Sequence, residues 1–275
     1  MKSIPTLVLF MLSMLVSTHA APHFPCMAPE ATIAKFRGKY KKGWDELSLA
    51  RHQRQVESGL IRASWKPQAR PESGIKGRCN GNDPGGPDSN VFIGQCWAHL
   101  NNTPFRLYKH YNHEGGIASP LIAHWPAALG DRSDKSPWID TPTHLIDLMA
   151  TCIDVGAAQY PSEFKGNKIT PLHGQSLTPL LNGKGAFPLR SLYWEHEGNA
   201  AVRAGDQKLV RKGLQGDWEL YDLKSDRTEQ FNLAKENPTR VAQLQSQWNS
   251  WAKAANVHPK PGEETRKGNR AQNDK

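Results

Sequence analysis

Residues 103–126 read TPFRLYKHYNHEGGIASPLIAHWP and combine a cation, a glycine pair and an apolar run. Lys109 lies five residues before Glu114-Gly115-Gly116, and the apolar run from Leu121 to Trp125 follows. We expect a cation carried on a loop between two strands, with glycines that let the backbone approach a ligand closely. An ammonium is a compact charge with three donors, so such a loop suits recognition of a small oxyanion. The same short pattern also fits a surface lysine beside an ordinary turn.

The longer pattern Tyr-Lys-x4-Glu-Gly-Gly-Ile-x-x-Pro-Leu-Ile-x-x-Trp-Pro resembles the sulfatases, in particular the arylsulfatase-like enzymes that hydrolyse sulfate esters. Further stretches are similar to this family and occur in the family's order. They are residues 21–30, which hold a Pro-His-x-Pro loop, residues 33–59, 143–147 and 173–177, and residues 219–223 with 232–234. Because the stretches are ordered and touch most of the chain, the resemblance is specific.

The resemblance implies an α/β fold: an incomplete alkaline-phosphatase-like or sulfatase mixed sheet flanked by helices, then a small C-terminal antiparallel sheet with a terminal helix. It also implies a sulfuric ester hydrolase acting on a sulfated small molecule or a sulfated polysaccharide. By the same resemblance Lys109 would bind the sulfate. His23, in the Pro-His-x-Pro loop, would contact the sulfate or the leaving oxygen, which makes it the catalytic candidate.

The motifs that perform the chemistry in the family are absent from this sequence. The formylglycine precursor is a Cys or Ser in Cys/Ser-x-Pro-x-Arg, and no cysteine or serine here has Pro two residues on and Arg four residues on. Calcium is expected for the family, but the Asp-Asp and Asp-Asn pairs that bind it are missing. A hard cation needs several oxygen ligands, so no metal residues are assigned. We therefore expect a truncated, inactive relative. The alternatives are a non-catalytic exported module that binds sulfated glycans through a basic surface, and a chain that does not fold independently.

Charge and composition limit the partners. The 275 residues include 35 Lys+Arg and 26 Asp+Glu, giving a formal net charge of +9, with 37% hydrophobic residues. Such a balance favours anionic partners by charge steering, although a solvated basic surface would give the same count. Nucleic acid is not expected as a partner, because the basic residues are dispersed and no nucleic-acid motif accompanies them.

Residues 1–20 have the pattern of a secretory signal, with Lys2, an apolar core from Leu7 to Val16 and a small-residue site at Ala20. This predicts export to the periplasm or the extracellular space, and the run is too short for a membrane span. A buried strand and loop is the alternative. Export permits disulfides. Four cysteines allow three pairings, of which Cys79 with Cys96 is favoured, and Cys152 fits a small buried residue.

The predicted domains are a signal peptide (1–20), a partial catalytic domain (21–185), a C-terminal subdomain (186–258) and a disordered tail (259–275). Within the second, residues 62–90 have no periodicity and are expected to be an irregular loop. Residues 29–58 are expected to be helical, divided at Gly38 and Gly43. Their apolar stripe consists of Ile33, Phe36, Tyr40, Trp44 and Leu47.

A further helix is predicted from Thr141-Pro142 to Gly156, where His144 and Asp147 share one face as a surface contact. Its predicted buried face is Leu145, Ile146, Leu148, Met149, Cys152 and Ile153. Near the C-terminus, four strands are expected at 191–194, 200–203, 208–211 and 218–223. A helix capped by Asn237-Pro238 follows, with Val241, Leu244, Trp248, Trp251 and Ala255 on one stripe. His196 is expected either to line a cleft or to lie at a solvated hairpin end.

Overall fold

The computed structural model describes residues 27–70, 76–80, 85–86, 90–125, 139–183 and 187–257. His23, the expected signal segment and the expected tail lie outside these residues. The described parts of segments 22–119 and 190–275 form one compact unit, and those of segment 120–189 form another. The domain boundaries predicted at residues 20, 185 and 258 stay predictions.

Helices and strands occur in both units. The helices are α1 (Glu30–Ala34), α2 (Trp44–Glu57), α3 (Gly94–Asn101), α4 (Glu114–Ile117), α5 (Ile146–Val155), α6 (Thr178–Asn182) and α7 (Pro238–Ala254). The strands are β1 (Lys76–Asn80), β2 (Asn90–Ile93), β3 (Glu163–Phe164), β4 (Asn167–Lys168), β5 (Ser191–His196), β6 (Asn199–Ala204), β7 (Gln207–Arg211) and β8 (Glu219–Asp222). None of these described helices combines the length and apolar character needed to cross a lipid bilayer.

Strands β5 to β8 form an antiparallel meander in sequence order, which confirms the predicted C-terminal sheet. Alternation along each strand gives the sheet two different faces. One face presents Leu209 and Leu220 to α7, where Leu244 and Trp248 complete a dry core. The opposite face holds a second apolar cluster that includes Val210 and Tyr221, together with the buried Lys208 and the partly buried Glu219.

Helix α7 begins at Pro238, as its Asn-Pro signal predicts. Trp248 is buried in the core and its indole N–H donates to the Trp194 carbonyl at 3.0 Å. Trp251 stacks on Tyr193 with ring centroids 5.2 Å apart. These contacts place the tryptophan stripe in the core of the subdomain.

The N-terminal segment departs from its predicted packing. Two helices do form and Gly43, at φ 87°, immediately precedes the second. However, Phe36, Tyr40 and Trp44 are exposed rather than buried. A sequence stripe indicates which side chains share a face, but burial requires a partner surface. Here Trp97 and the Arg70 guanidinium contact these rings without covering them.

Two other expectations for this segment are wrong. Residues 76–80, inside the supposed irregular loop, form β1, which pairs with β2 because Val91, Phe92 and Ile93 provide a β-forming partner. Cys96 has a free thiol beside the Arg70 guanidinium, so it forms no disulfide with Cys79. Cys152 is also free and partly buried.

In the unit formed by segment 120–189, α5 begins only at Ile146 and ends at Val155, before Gly156. Leu145, Ile146 and Met149 are exposed, contrary to the predicted buried face. The buried side of α5 is instead polar, because Asp147 accepts the backbone N–H of His144 at 2.8 Å and of Gln175 at 2.9 Å. The predicted surface contact between His144 and Asp147 is therefore wrong in its location: the contact exists, but it joins the buried Asp147 carboxylate to the His144 backbone ahead of the helix.

The run from Leu121 to Trp125 is not a strand. Ile122 is 83% exposed, and no described strand pairs with this run. A strand needs a neighbour to satisfy its backbone groups, and apolar sequence alone does not supply one.

Candidate functional site

Lys109 lies on a loop between α3 and α4, not between two strands. The glycine pair closes this loop on itself. A Cβ on Gly115 would lie 2.3 Å from the Arg106 carbonyl oxygen, and one on Gly116 would lie 1.9 Å from the Tyr111 carbonyl oxygen. The Gly115 N–H also donates to the Arg106 carbonyl at 3.0 Å. The glycines are therefore required for close approach to the loop's own backbone.

A buried ion cluster holds the C-terminal end of this loop on the sheet. Glu114 of the Glu-Gly-Gly corner pairs with Lys208 of β7 at 2.7 Å and with Arg227. Lys208 also pairs with Glu229 at 2.8 Å, and Glu229 accepts the backbone N–H of Glu114 at 2.9 Å. Glu114, Lys208 and Glu229 are all buried. The negative charges of the two carboxylates equal the positive charges of Lys208 and Arg227, and buried charges are tolerated when they are paired in this way.

A second polar group holds the N-terminal half of the loop. Arg106 donates to Glu219 at 2.9 Å and to the Tyr221 hydroxyl at 2.6 Å, and the fully buried His113 lies 3.2 Å from the same Glu219 oxygen. Burial opposes ionisation of Glu219, but hydrogen bonds from His113 and Tyr221, together with the nearby Arg106, lower its pKa to about 2. Burial lowers the pKa of His113, so this imidazole is neutral at pH 7. Both ends of the loop are thus fixed to the same face of the sheet.

The outer part of the loop is exposed. Lys109 is exposed, and in the described part of the chain no carboxylate lies within ion-pair distance of its ammonium. The next residue, His110, places its Nδ1 2.9 Å from a Glu197 oxygen and its ring 5.3 Å from that of His196. The β5–β6 hairpin tip therefore meets the lysine loop, where the exposed His196 and Glu197 lie beside His110.

The buried Asn199 sets the tautomer of His110. Its amide is oriented by two bonds, because its oxygen accepts the Gly213 N–H at 3.1 Å and its Nδ2 donates to the His196 carbonyl at 2.9 Å. The same Nδ2 donates to His110 Nε2 at 3.3 Å. His110 Nε2 is consequently the acceptor, and Nδ1–H faces Glu197.

These residues do not fit calcium. Among the described residues, His110, His196 and Glu197 are the group that brings three candidate ligand atoms within 4.8 Å of one another. It offers two nitrogens and one carboxylate, whereas calcium takes six to eight oxygen ligands. The Nε2 atom of His110 is also already engaged by the Asn199 amide.

Of the residues assigned from the sequence, Lys109 is placed on an exposed, anchored loop, and its role as a sulfate ligand stays a prediction. His23 lies outside the described residues and its role also stays a prediction. His196 is at the hairpin end, against His110. Sequence reasoning missed His110 and Glu197. These two residues are 87 positions apart in the chain, so no local sequence pattern indicates that they lie close together.

No protein-family model matches the chain. Among curated proteins, an uncharacterized sulfatase of Schizosaccharomyces pombe is 23% identical and aligns with 83% of this chain and 55% of its own length. A sulfatase of Formosa agariphila is 28% identical over 56% of this chain and 28% of its own length. The chain thus spans about half of the first relative and less of the second.

Solved structures give partial likenesses of low TM-score. Ps i-CgsB is 20% identical, with a TM-score of 0.43 over 55% of this chain and 32% of its own. A protein solved in work on the metabolism of multiple glycosaminoglycans by Bacteroides thetaiotaomicron is 22% identical, with a TM-score of 0.43 over 60% of this chain and 36% of its own. The α/β class and the C-terminal sheet with its helix agree with the incomplete sulfatase fold that the sequence predicts. The chain is related to the sulfatases over part of their length.

Proposed function

We propose that this chain recognises a sulfate ester through Lys109 and does not hydrolyse it. The observation that carries the proposal is the anchored loop. Glu114 fixes one half to the sheet through a buried ion pair and Arg106 fixes the other through a partly buried one, while Lys109 stays exposed between them. A lysine on an anchored loop loses less backbone conformational freedom on binding an anion than a lysine on a free loop. The sulfatase relationship supports the choice of sulfate as that anion.

The surrounding side chains suit the rest of a sulfated sugar or phenol. Glu197 can accept hydrogen bonds from hydroxyl groups and His196 can donate or accept them. Hydrolysis would need a nucleophile and a metal, and the sequence contains neither the formylglycine precursor motif nor the calcium pairs. We assign no chemical step to His23, because it lies outside the described residues. Its part in binding is an expectation from the resemblance.

The test uses 4-nitrophenyl sulfate with added calcium and the full chain. We expect saturable binding by calorimetry and no release of nitrophenolate. Lys109→Ala should abolish binding, whereas Lys212→Ala, a matched exposed lysine of the same unit, should leave it unchanged. Turnover of the ester would refute the inactive state, and equal binding by the Lys109→Ala variant would refute the assigned role.

A second candidate function is a non-catalytic module that binds sulfated glycans through its basic surface. The exposed cations of residues 35–42 favour it. It predicts salt-sensitive retention on a sulfated polymer even where a small sulfate ester does not bind.

A further inference from the structure

Three large aromatic side chains of the N-terminal segment, Phe36, Tyr40 and Trp44, are exposed to solvent. Tyr40 is 50% and Phe36 46% exposed, and their rings are parallel within 6° at a centroid separation of 6.4 Å. Trp97 of α3 lies edge-on to Tyr40 at 5.7 Å and to Trp44 at 6.4 Å, and the Arg70 guanidinium lies 5.8 Å from the centre of the Trp44 ring. Clustered apolar rings at a surface mark a binding site more often than scattered ones do.

The same segment carries a dense positive charge. Residues 35–42 contain five cations and no carboxylate: Lys35, Arg37, Lys39, Lys41 and Lys42. All five are exposed. Arg37 pairs with Glu30 at 2.8 Å and Lys42 with Glu46 at 2.7 Å. The ammonium of Lys39 lies 4.9 Å from the centre of the Phe36 ring.

Helix α3 connects this segment to the lysine loop. Trp97 touches Tyr40 and Trp44, and two residues earlier the Gln95 side chain hydrogen-bonds to Tyr108. Tyr108 directly precedes Lys109. Helix α3 therefore contacts both the aromatic side chains of the N-terminal segment and the loop that carries Lys109.

We propose that Lys35, Lys39, Lys41, Phe36, Tyr40 and Trp44, here called the basic aromatic surface, bind the chain of a sulfated polysaccharide. Sugar rings present polarised C–H groups that pack on the electron-rich face of an aromatic ring, and their sulfate groups pair with the neighbouring ammonium groups. A polymer of this kind uses both features of the surface. The proposal rests on the proposed function, because it supplies the polymer whose sulfate ester Lys109 would contact.

The experiment measures binding of the full chain to immobilised dextran sulfate over a salt series, with unsulfated dextran as blank. The triple variant Lys35→Gln, Lys39→Gln, Lys41→Gln should bind at least about tenfold more weakly at low salt. Its slope of log K against log salt should be shallower by about 2, because each lost cation–anion contact releases fewer counterions. The control variant Lys224→Gln, Lys235→Gln, Lys253→Gln has the same net charge and changes exposed lysines of the same unit. Its affinity should stay within about twofold of the unmodified chain. Equal losses in both variants would overturn the proposal.

Tyr40→Ala separates sugar recognition from simple attraction of anions. It should weaken dextran sulfate binding severalfold and leave binding of inorganic polyphosphate, which has no rings, unchanged. Unchanged dextran sulfate binding by this variant, or tighter binding of single-stranded poly(U) than of dextran sulfate by the unmodified chain, would overturn the proposal. Binding of 4-nitrophenyl sulfate should survive the triple substitution and be lost in Lys109→Ala, so failure of the surface and failure of the Lys109 site give different results.

Discussion

Replacement of Lys208 by Met tests whether the buried ion cluster holds the lysine loop. Lys208 is fully buried and lies 2.7 Å from Glu114 and 2.8 Å from Glu229. With Arg227 the cluster carries two negative and two positive charges. Methionine fills a similar volume but leaves one carboxylate charge uncompensated, and loss of one partner from a buried pair costs about 3–5 kcal/mol.

That loss is a large fraction of the roughly 5–15 kcal/mol that separates folded from unfolded domains. For a unit of this size it corresponds to a fall in Tm of roughly 6–20 °C. Urea unfolding followed by tryptophan fluorescence measures the free energy directly. Hydrogen exchange of the Gly115 amide, which donates to Arg106, reports on the loop itself. Lys212→Met, at an exposed position just after the same strand, should change stability by less than about 0.5 kcal/mol.

A second substitution sharpens the test. Glu229→Gln in the Lys208→Met background removes the uncompensated charge, so the double variant should be more stable than Lys208→Met alone. A loss below about 1 kcal/mol for Lys208→Met, or no recovery on adding Glu229→Gln, would refute the electrostatic account of the cluster.

Three further outcomes are expected. Glu219→Gln should lower the free energy of unfolding at pH 7 by about 3 kcal/mol, because the pKa of Glu219 is depressed in the folded state. When unfolding is measured over a pH series, the unmodified chain should lose this contribution as pH falls from about 4.5 toward about 2, and the variant should not. Gly116→Ala should destabilise the chain by about 1–3 kcal/mol in urea unfolding, since its methyl would overlap the Tyr111 carbonyl oxygen; an unchanged midpoint would contradict the close approach. Asn199→Ala should free His110 from its fixed tautomer, so that NMR of the ring nitrogens shows a mixture of tautomers where the unmodified chain shows one.

The C-terminal subdomain was predictable because its signals are local. Period-two apolar strands separated by Gly205-Asp206 and by residues 213–217 specify a meander, and the Asn237-Pro238 pair specifies where α7 begins. The first three observed strands contain the predicted ones, and β8 is shorter than its prediction by one residue at each end.

The burial of charged residues on the sheet face opposite α7 was not predictable from local pattern. Lys208 looks like a solvent-facing residue in the strand Gln-Lys-Leu-Val-Arg, yet it is fully buried. Its partner Glu114 lies 94 residues earlier in the chain, and Glu229 lies beyond the next strand. Burial of a charge depends on partners brought together by tertiary structure, which periodicity does not encode.

The aromatic stripe of α1 and α2 failed for a related reason. Its spacing correctly identifies residues that share a side, but the prediction assumed that a core covers them. In the described residues, Tyr40 and Trp44 contact Trp97, and Trp44 also contacts the Arg70 guanidinium, yet both rings stay exposed. Sequence pattern fixes the direction of a side chain relative to its helix and says nothing of what lies opposite.

The residues of the Lys-x4-Glu-Gly-Gly pattern have different structural roles. Glu114 is neutralised by Lys208 and Arg227 and is buried, so it is unsuited to proton transfer with a ligand and acts as an anchor. The glycines close the loop on its own backbone. Only Lys109 is left to meet an external anion. Since every group that holds the loop lies within one compact unit, presentation of Lys109 does not depend on the nucleophile or on calcium. The proposed contact between Lys109 and a sulfate ester therefore requires no group from outside this unit.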